Sequence, residues 1–331
     1  MPDSQHNWFL WLIEKVLPWL TLGFLVLYIG IYFFYAPYVG FTFNTYTGNV
    51  DLVYVTPPNE NLLQVGDKII QVGDTLRETY AQQSNRILFE KLPVGTTIPI
   101  ILERDGERFE ISWLYQKPSA TEIIERINNF WWLPIIFWVA GLSIIFLVRP
   151  KNTRWYLLLL FNFLTAIWLA TGLLGQWHLM GSIFVQTFIL WLCVPIYFHL
   201  HWVFPYERKA FPAYFLRLLY IMAVICTVAE WLQWIPMNTG QIGLLFAILM
   251  SLIVLFVGII RNPDQRTVTF PIVLGLSIIF LPIFLVLMIR ASGIFLPNYV
   301  AGGSLLGLAA LPGIYFYTTR FFSSQGLKEA V

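Results

Sequence analysis

The stretch Gln64-Val65-Gly66-Asp67-Lys68-Ile69-Ile70-Gln71-Val72-Gly73-Asp74 lies inside the only long polar region of the sequence, roughly residues 38–129. On both sides of this region the sequence consists of apolar runs of about 20 residues, the length that crosses the roughly 30 Å hydrocarbon layer of a bilayer. The 331-residue chain is 58% hydrophobic and 11% charged, whereas an ordinary soluble domain carries about 25% charged residues. The sequence therefore predicts an α-helical polytopic membrane protein with one polar insertion.

Eight apolar runs are predicted as transmembrane spans. An interfacial helix and the first span occupy residues 1–36, and the other seven spans form a bundle at residues 130–320, followed by a tail at 321–331. A cleaved signal peptide is the alternative for the first run, but no A-x-A cleavage site follows it, so we predict an uncleaved anchor. The seven later spans are predicted at residues 130–148, 153–174, 182–204, 213–232, 240–260, 268–289 and 298–318.

The distribution of Lys and Arg predicts the orientation of the chain. These residues concentrate in the links after the second, fourth and sixth spans, for example at Arg149 and Lys151, and they recur in the tail. The short links on the other side have almost none, with Arg290 as the exception. Because Lys and Arg are enriched in cytoplasmic loops, both chain ends are predicted on the cytoplasmic side of the membrane and the polar insertion on the opposite side.

Residues 37–117 of the insertion have the pattern of a small α+β domain. Apolar and polar residues alternate over 98–102 and again over 109–113, and the Asp105-Gly106 pair between them suits a type I′ hairpin turn. Two more strands are predicted at residues 50–55 and 68–72.

Two helices are predicted in the polar region. The first covers residues 78–92 and ends before Pro93. The second is a juxtamembrane helix at residues 118–129, in which Ser119 and Glu122 form a capping box. Its apolar face consists of Ile123, Ile124 and Ile127. This helix either transmits movement of the insertion to the second span or serves as a passive stalk, and the sequence leaves both interpretations open.

Three motifs of the insertion resemble, in the same order, those of bacterial PDZ domains. Tyr38-Val39-Gly40-Phe41 is similar to the carboxylate-binding loop of that family. The stretch 64–69 is similar to its GL-x-x-GD-x-I turn, in which Gly66 and Asp67 have a structural role. Glu103-Arg104-Asp105-Gly106 is similar to the late R-x-G hairpin of the family. The resemblance implies a PDZ-like fold for the insertion between spans one and two.

The resemblance also implies a peptide groove. In PDZ domains an extended peptide adds a strand beside the loop, and its terminal carboxylate meets backbone N–H groups. Here the groove would be lined by Tyr38, Val39, Gly40, Phe41, Phe43 and Ile87. Two alternatives stay open: these residues form the core of the domain, or the chain itself covers the groove. Residues 56–63 depart from the usual P-G-S-P-A run of the family, which puts the short helix there in doubt.

The bundle has no constellation of catalytic residues, and we predict no enzyme activity, cofactor or metal site. There is no H-E-x-x-H motif, and His199 and His201 point to different faces of one helix. Glu230 and Arg290 are both predicted at the outer side, where the cost of an unpaired charge favours an ion pair between them. Separate solvation of the two charges at the headgroups is the alternative.

The whole arrangement resembles the membrane input region of sensor histidine kinases of the competence-pheromone receptor type. Those proteins have an anchor span, an exported PDZ-like domain and a multispan bundle, and residues 198–205 are similar to a run in their bundles. The sequence has no kinase H-box or ATP-binding region. The resemblance therefore implies a non-enzymatic receptor module whose transmitter is a separate protein or lies beyond this sequence. A membrane-anchored PDZ scaffold that binds the C-termini of exported proteins is the alternative.

The expected partners follow from these two interpretations. They are the lipid bilayer, an exported peptide or protein C-terminus, and a cytoplasmic kinase or regulator. No nucleic-acid partner is expected, and a homodimer stays open as an oligomeric state. A small-molecule transporter is disfavoured because the sequence has neither internal repeats nor charges at the bilayer midplane.

Overall fold

The structure is a computed structural model that describes residues 8, 10–45, 47–54, 57–83, 86–89, 92–204, 212–237, 239–261, 266–291, 296 and 298–328. Within its helices, the description leaves out the side chains of residues 81, 268, 287, 290, 291, 298, 299, 301 and 320–328.

In the described residues the chain forms eleven α-helices and six β-strands. The helices are α1 Leu17–Phe34, α2 Arg77–Gln82, α3 Ala120–Asn128, α4 Leu133–Leu147, α5 Thr153–Gly172, α6 Ser182–Val203, α7 Ala213–Trp231, α8 Thr239–Arg261, α9 Arg266–Ala291, α10 Asn298–Leu305 and α11 Leu311–Lys328. The strands are β1 Phe41–Phe43, β2 Val50–Val53, β3 Lys68–Val72, β4 Thr75–Leu76, β5 Thr97–Arg104 and β6 Glu107–Leu114.

Seven segments of the described chain are long and apolar enough to cross a membrane, which agrees with a multi-pass membrane protein. They are Leu12–Phe34, Ala120–Leu147, Thr153–Gly172, Leu179–Val203, Ala213–Trp231, Thr239–Arg261 and Thr269–Val286. The first begins with a π-helical turn at Leu12–Val16 that continues into α1. Each segment overlaps one of the first seven predicted spans, and Ala120–Leu147 also includes the predicted juxtamembrane helix.

The eighth predicted span, residues 298–318, is not one continuous helix. It comprises α10, a 3₁₀ segment at Leu306–Ala310, and the start of α11. Gly307 and Pro312 fall in this interval, and both residues weaken an α-helix because glycine adds backbone freedom and proline lacks an N–H. The predicted count of eight long apolar helices therefore differs from the seven in the described residues.

Helix α5 is the most buried of the candidate spans and forms the centre of the bundle. It packs against α1, α4 and α6. Helices α4 and α5 approach closely where Gly141 meets the ring of Phe163, because a Cβ at Gly141 would lie 2.6 Å from that ring. The buried amide of Asn162 donates to the Leu158 carbonyl of its own helix at 2.8 Å, so this amide N–H group is satisfied within the apolar core.

The strands form two antiparallel sheets, which together with the connecting residues 37–117 we call the sheet domain. Strands β1 and β2 pair with each other, and the larger sheet has the order β4-β3-β5-β6. A bridge between Asn49 and Lys68 joins the two sheets, together with backbone hydrogen bonds of Val50 to Gly66 and Asp67. The predicted hairpin is confirmed: β5 and β6 pair from Thr97 with Leu114 to Arg104 with Glu107, and Asp105 and Gly106 have φ angles of +53° and +85°.

The predicted helix at residues 78–92 is wrong in length. Helix α2 ends at Gln82, because Gln83 has extended backbone angles, φ −106° and ψ 105°. The next described residues, 86–89, are not helical, and residues 84, 85, 90 and 91 of the predicted helix lie outside the described residues. Phe89 then packs into the core of the sheet domain, where its side chain is 3% exposed. Burying this ring stabilises the non-helical backbone around Phe89 more strongly than the weak helical pattern favours a helix.

The juxtamembrane helix is present as α3, and its N-terminal cap is confirmed. The Ser119 hydroxyl accepts a hydrogen bond from the Glu122 N–H at 3.1 Å. The helix does not continue directly into α4, because Asn129 is extended with ψ 172° and a 3₁₀ turn follows at Phe130–Trp132. Its charged residues Glu122 and Arg126 are 7% and 8% exposed, whereas its predicted apolar face is outward. That face consists of Ile123, Ile124 and Ile127, which are 38%, 56% and 51% exposed.

Candidate functional site

A buried arginine fastens α3 to the end of α1, in an arrangement that we call the Arg126 junction. Arg126 Nη1 donates to the carbonyls of Tyr32 and Ala36, each at 2.9 Å, and Nη2 donates to the Pro37 carbonyl at 2.8 Å. The guanidinium also lies 3.5 Å from the centre of the Tyr38 ring. The last carbonyls of a helix have no intrahelical partner and carry partial negative charge, so a cation here satisfies both needs.

The predicted carboxylate loop, Tyr38–Phe41, holds a carboxylate of the same chain. The Gly40 N–H donates to Oε1 of Glu122 at 3.1 Å. Gly40 has φ +82°, and a Cβ there would lie 3.2 Å from the Trp113 ring, so glycine suits this position for two reasons. The capping box therefore forms only in part, since the Ser119 hydroxyl caps the helix while the Glu122 carboxylate reaches the loop instead.

The space next to this loop is small. A pocket of about 10 Å³ is bordered by Tyr38, Val39, Gly40, Trp113 and Glu122, among others. That volume accommodates one water molecule at most. A second carboxylate therefore does not fit at the Gly40 N–H while Glu122 occupies it.

The other predicted groove residues are largely buried in the sheet domain. Val39, Phe41 and Phe43 are 3%, 1% and 5% exposed. Phe41 packs edge-on against Trp113 and Phe89, with ring centres 5.1 and 6.1 Å apart. Ile87 is partly exposed and lies in irregular backbone instead of on the predicted helix. Val39 and Phe43 are thus core residues of the sheet domain in this structure. Peptide binding by these residues stays a prediction.

Gly66 and Asp67 form a turn that is fixed by a buried charge. Gly66 has φ +96°. The Asp67 carboxylate is almost fully buried and accepts hydrogen bonds from Arg104 Nε and Nη2, both at 2.6 Å. It also accepts one from the Gln64 N–H at 2.7 Å. The turn is therefore connected to the β5–β6 hairpin by a bidentate ion pair, which fixes orientation as well as distance.

The sheet domain contacts the bundle at a second place, which we call the His178 contact. The rings of Tyr80 and His178 stack with centres 4.2 Å apart, and the Tyr80 hydroxyl donates to the Gln176 carbonyl at 2.8 Å. The His178 Nδ1–H donates to the Arg86 carbonyl at 3.1 Å. Burial lowers the pKa of His178 to about 4, although hydrogen bonds to the backbone at Gln83 and Arg86 oppose that shift.

Two further interactions extend the His178 contact. The rings of Phe89 and Trp177 meet edge to face with centres 6.0 Å apart. On the far side of α2, Gln233 Nε2 donates to the Gln82 carbonyl at 2.7 Å. The sheet domain thus contacts the loops after α5 and after α7 as well as the end of α1.

Between these two attachments lies a cavity of about 650 Å³. The sheet domain contributes Phe41 and Thr42 to its lining, and the hydroxyl oxygen of Thr42 is buried without a hydrogen-bond partner among the described residues. Helix α3 contributes a polar wall, and the bundle contributes an apolar wall. The polar wall includes Glu125, Asn128 and Asn129; the apolar wall includes Leu173, Trp177, Ile283, Val286, Leu305 and Leu306.

Glu230 at the end of α7 is buried, with 5% exposure. Its Oε2 accepts hydrogen bonds from the Trp191 indole N–H at 2.7 Å and from the Gly240 N–H at 3.2 Å. The side chain of Arg290 lies outside the described residues, so the predicted ion pair stays a prediction. In this structure the Glu230 carboxylate is buried and hydrogen-bonded within the protein, instead of being solvated at the headgroups.

The two histidines of α6 have different neighbours. His199 Nδ1 lies 3.4 Å from the Tyr220 hydroxyl. His201 is fully buried, donates from Nδ1 to the Tyr197 carbonyl at 2.8 Å, and accepts from the Tyr315 hydroxyl at Nε2 at 2.7 Å. His201 thus joins α6 to α11. Among the described residues, no group of three or more His, Cys, Asp or Glu side chains is placed to hold a metal ion.

Sequence reasoning missed the two contacts that organise this site, those of Glu122 and Arg126. The available signal was their i, i+4 spacing on a short helix that also has an isoleucine face. That pattern indicates an amphipathic helix but does not say which face turns inward. The apolar face was the natural choice for burial, and the structure has the opposite arrangement.

Comparisons with protein-family models, with curated proteins and with solved structures each found no match. The PDZ-like fold and the receptor function therefore stay predictions from the motifs quoted above.

Proposed function

We propose that the chain is a non-enzymatic membrane receptor whose sheet domain and helical bundle together hold an extracytoplasmic ligand. In this proposal the chain lies in a bacterial plasma membrane with both ends in the cytoplasm. The sheet domain is a PDZ-like domain outside the cell, and α10 with α11 forms an interrupted eighth span. The observation that carries the proposal is the 650 Å³ cavity, because its walls come from both parts of the molecule.

The chemistry of the cavity fits an amphiphilic ligand such as an exported peptide. Polar groups of such a ligand would meet the amides of Asn128 and Asn129, whereas its apolar groups would meet Leu305 and Trp177. A site of this size matches the usual volume of small-ligand pockets, roughly 300–1,000 Å³. Binding would stabilise whichever spacing of sheet domain and bundle suits the ligand, which is a population shift.

The path from the cavity to the membrane runs through α3. This helix borders the cavity, bonds to the end of α1 through Arg126, and leads into α4 after the turn at Phe130–Trp132. A change in the tilt of α3 therefore changes the relation between the first two spans. A cytoplasmic kinase or regulator would respond to that change at the opposite ends of the helices.

The test is capture of the ligand inside the cavity. A photoreactive benzoylphenylalanine replaces Asn128, which lines the cavity, in the full chain expressed in its host. The matched control places the same group at Glu110, an exposed residue of β6 outside the cavity. We expect irradiation of intact cells to give a covalent adduct, detected by mass spectrometry, at position 128 and not at 110. Absence of an adduct at 128, or equal adducts at both positions, contradicts the proposal.

A membrane-anchored scaffold for the C-termini of exported proteins is the second candidate. The observation that favours it is the bond between the Gly40 N–H and a carboxylate, since a protein C-terminus offers the same group. The two functions differ in the role of the bundle. A scaffold needs no change in the cytoplasmic ends of the helices when a ligand binds, whereas a receptor requires one.

A further inference from the structure

We infer that Glu122 is a built-in occupant of the loop Tyr38–Phe41, and that a free carboxylate of an extracytoplasmic peptide binds there only after displacing it. This inference rests on the receptor function proposed above and adds its regulation. It starts from the bond between the Gly40 N–H and Glu122 Oε1 at 3.1 Å. Glu122 is 7% exposed, so the bond is shielded from water and from ions.

The surroundings of Glu122 hold its carboxylate in place. Ser119 fixes the first turn of α3 by accepting from the Glu122 N–H, and Arg126 fixes the next turn through three carbonyl groups. With both turns fixed, the Glu122 carboxylate loses little further freedom when it reaches Gly40. A tethered group that is already ordered competes strongly with a ligand that must be ordered on binding.

The loop has no room for two carboxylates. Glu122 also borders the 650 Å³ cavity, but the pocket it shares with Gly40 is only about 10 Å³. Two acids at the single Gly40 N–H would also repel each other. An incoming carboxylate therefore takes the Gly40 N–H only if Glu122 leaves. Because Glu122 is part of α3, its departure loosens α3 from the sheet domain while Arg126 still holds α3 to the end of α1. Ligand binding and movement of the juxtamembrane helix thus become one event.

The affinity of the loop for a ligand is then reduced by self-occupation. When a site is free only part of the time, the apparent dissociation constant increases in inverse proportion to the free fraction. A charge-assisted hydrogen bond of typical strength corresponds to about tenfold or more in an equilibrium constant. Replacing Glu122 should therefore tighten binding of a carboxylate ligand, although it removes a contact from the protein.

The experiment uses the full chain in lipid nanodiscs, as wild type, Glu122→Ala and Glu122→Gln. The matched control is Glu110→Ala, which removes an exposed carboxylate of β6 outside the cavity. The probe is a pool of fluorescein-labelled random hexapeptides with free carboxyl ends, compared with the same pool amidated. Fluorescence polarisation gives the affinity, and hydrogen exchange gives the protection of the Gly40 amide and of β5 and β6.

We expect Glu122→Ala to bind the free-carboxyl pool about tenfold or more tightly than wild type, with no gain for the amidated pool. Glu122→Gln should gain less, because its neutral amide oxygen still accepts from Gly40. The Glu110→Ala chain should bind as wild type does. Without peptide, Glu122→Ala should lose protection at Gly40 and Glu122→Gln should lose less, while protection of β5 and β6 reports that each variant is folded.

Unchanged or weaker binding of the free-carboxyl pool by both Glu122 variants overturns the inference, since a purely structural role of Glu122 predicts that result. An equal gain for the amidated pool overturns it as well. If the inference fails while position 128 still captures a ligand, the receptor proposal survives. If position 128 captures nothing while Glu122→Ala gains affinity, the receptor proposal fails and the scaffold is favoured.

Discussion

The sheet domain is attached to the helices at two places whose chemistry differs. At the Arg126 junction one buried cation of α3 donates to two carbonyls at the end of α1 and to the Pro37 carbonyl at the start of the sheet domain, all at 2.8–2.9 Å. At the His178 contact, neutral rings stack and single hydrogen bonds join loops. Multiple charge-assisted bonds to one rigid side chain resist separation, whereas stacked neutral rings separate at smaller cost. The comparison indicates a fixed hinge at Arg126 and a releasable contact at His178.

The largest effect is expected from removing the hinge. Arg126→Met keeps the length of the side chain but leaves the carbonyls of Tyr32, Ala36 and Pro37 without these donors. We expect a loss of about 3 kcal/mol or more in the stability of the junction, because hydrogen bonds to a charged group contribute about 1.5–3 kcal/mol each. Hydrogen exchange of residues 32–40 measures it. Arg108→Met, which removes an exposed arginine of β6, is the control.

A much smaller loss of stability at the Arg126 junction would contradict its role as the fixed attachment. If Arg126→Met leaves exchange of residues 32–40 within the range of Arg108→Met, the carbonyls do not depend on Arg126. Arg126→Lys provides a finer test, since an ammonium keeps the charge but not the planar fork of donors. We expect exchange rates between those of wild type and Arg126→Met.

The next largest effect is expected inside the sheet domain. It tests whether the stability of this domain is independent of its attachment to the helices. Asp67→Asn removes the charge that binds Arg104 inside the sheet domain. We expect a loss of about 2 kcal/mol, less than for a fully buried pair, because the Arg104 side chain is partly exposed. Hydrogen exchange should accelerate in β3 and β5 and stay unchanged at residues 32–36. Equal acceleration at both places would mean that the sheet domain and the hinge unfold as one unit.

The His178 contact should depend on pH. A released His178 would titrate near its ordinary value of 6.5, whereas burial lowers the pKa of the docked residue to about 4. As the pH falls from 6.5 to 4, the released state binds a proton that the docked state does not, so docking weakens by up to a few kcal/mol. Above pH 6.5 and below pH 4 this contribution is constant.

Spin labels at Asp74→Cys and Leu232→Cys measure this docking in a chain whose Cys193 and Cys226 are replaced by alanine. The distance distribution should broaden between pH 6.5 and 4 and recover on return to neutral pH. In His178→Gln the distribution should not depend on pH in this window, since glutamine does not titrate. A wild-type distribution that stays constant down to pH 4 contradicts the assignment of a releasable contact.

The smallest effect is expected at the edge of the same contact. Gln233→Ala removes one exposed hydrogen bond to the Gln82 carbonyl. A single neutral hydrogen bond contributes about 0.5–1.5 kcal/mol, and exposure to water favours the low end of that range. The distances between the spin labels should shift slightly at neutral pH and more strongly at pH 5, where docking at the His178 contact is already weaker. An effect as large as that of Arg126→Met would mean that the His178 contact is not the weaker of the two attachments.

Local sequence signals were sufficient for the hairpin and the helix cap. Asp105-Gly106 adopts the positive φ angles of its turn, and Ser119 caps α3, because turn and cap chemistry involves residues close in sequence. The apolar runs likewise predicted seven of the long helices, since their length and composition alone determine that they suit a bilayer.

Contacts between residues far apart in the sequence could not be predicted in the same way. Glu122 and Gly40 are 82 positions apart, and the bond between them competes with the local capping box that the sequence indicated. The helix predicted at residues 78–92 ended early because Phe89 packs against Phe41 and Trp177, two rings from other parts of the chain. In both cases a tertiary contact overrode a weak local preference.

Accessibility of the sheet domain from outside the cell decides whether it can bind an extracytoplasmic ligand. In the chain without Cys193 and Cys226, one variant carries Glu107→Cys in the sheet domain and another carries Arg261→Cys at the end of α8, both at exposed positions. A membrane-impermeant maleimide is added to intact cells and, in parallel, to permeabilised cells. We expect position 107 to be labelled in intact cells and position 261 to be labelled only after permeabilisation. Labelling of 261 but not 107 in intact cells would place the sheet domain in the cytoplasm and contradict the receptor function.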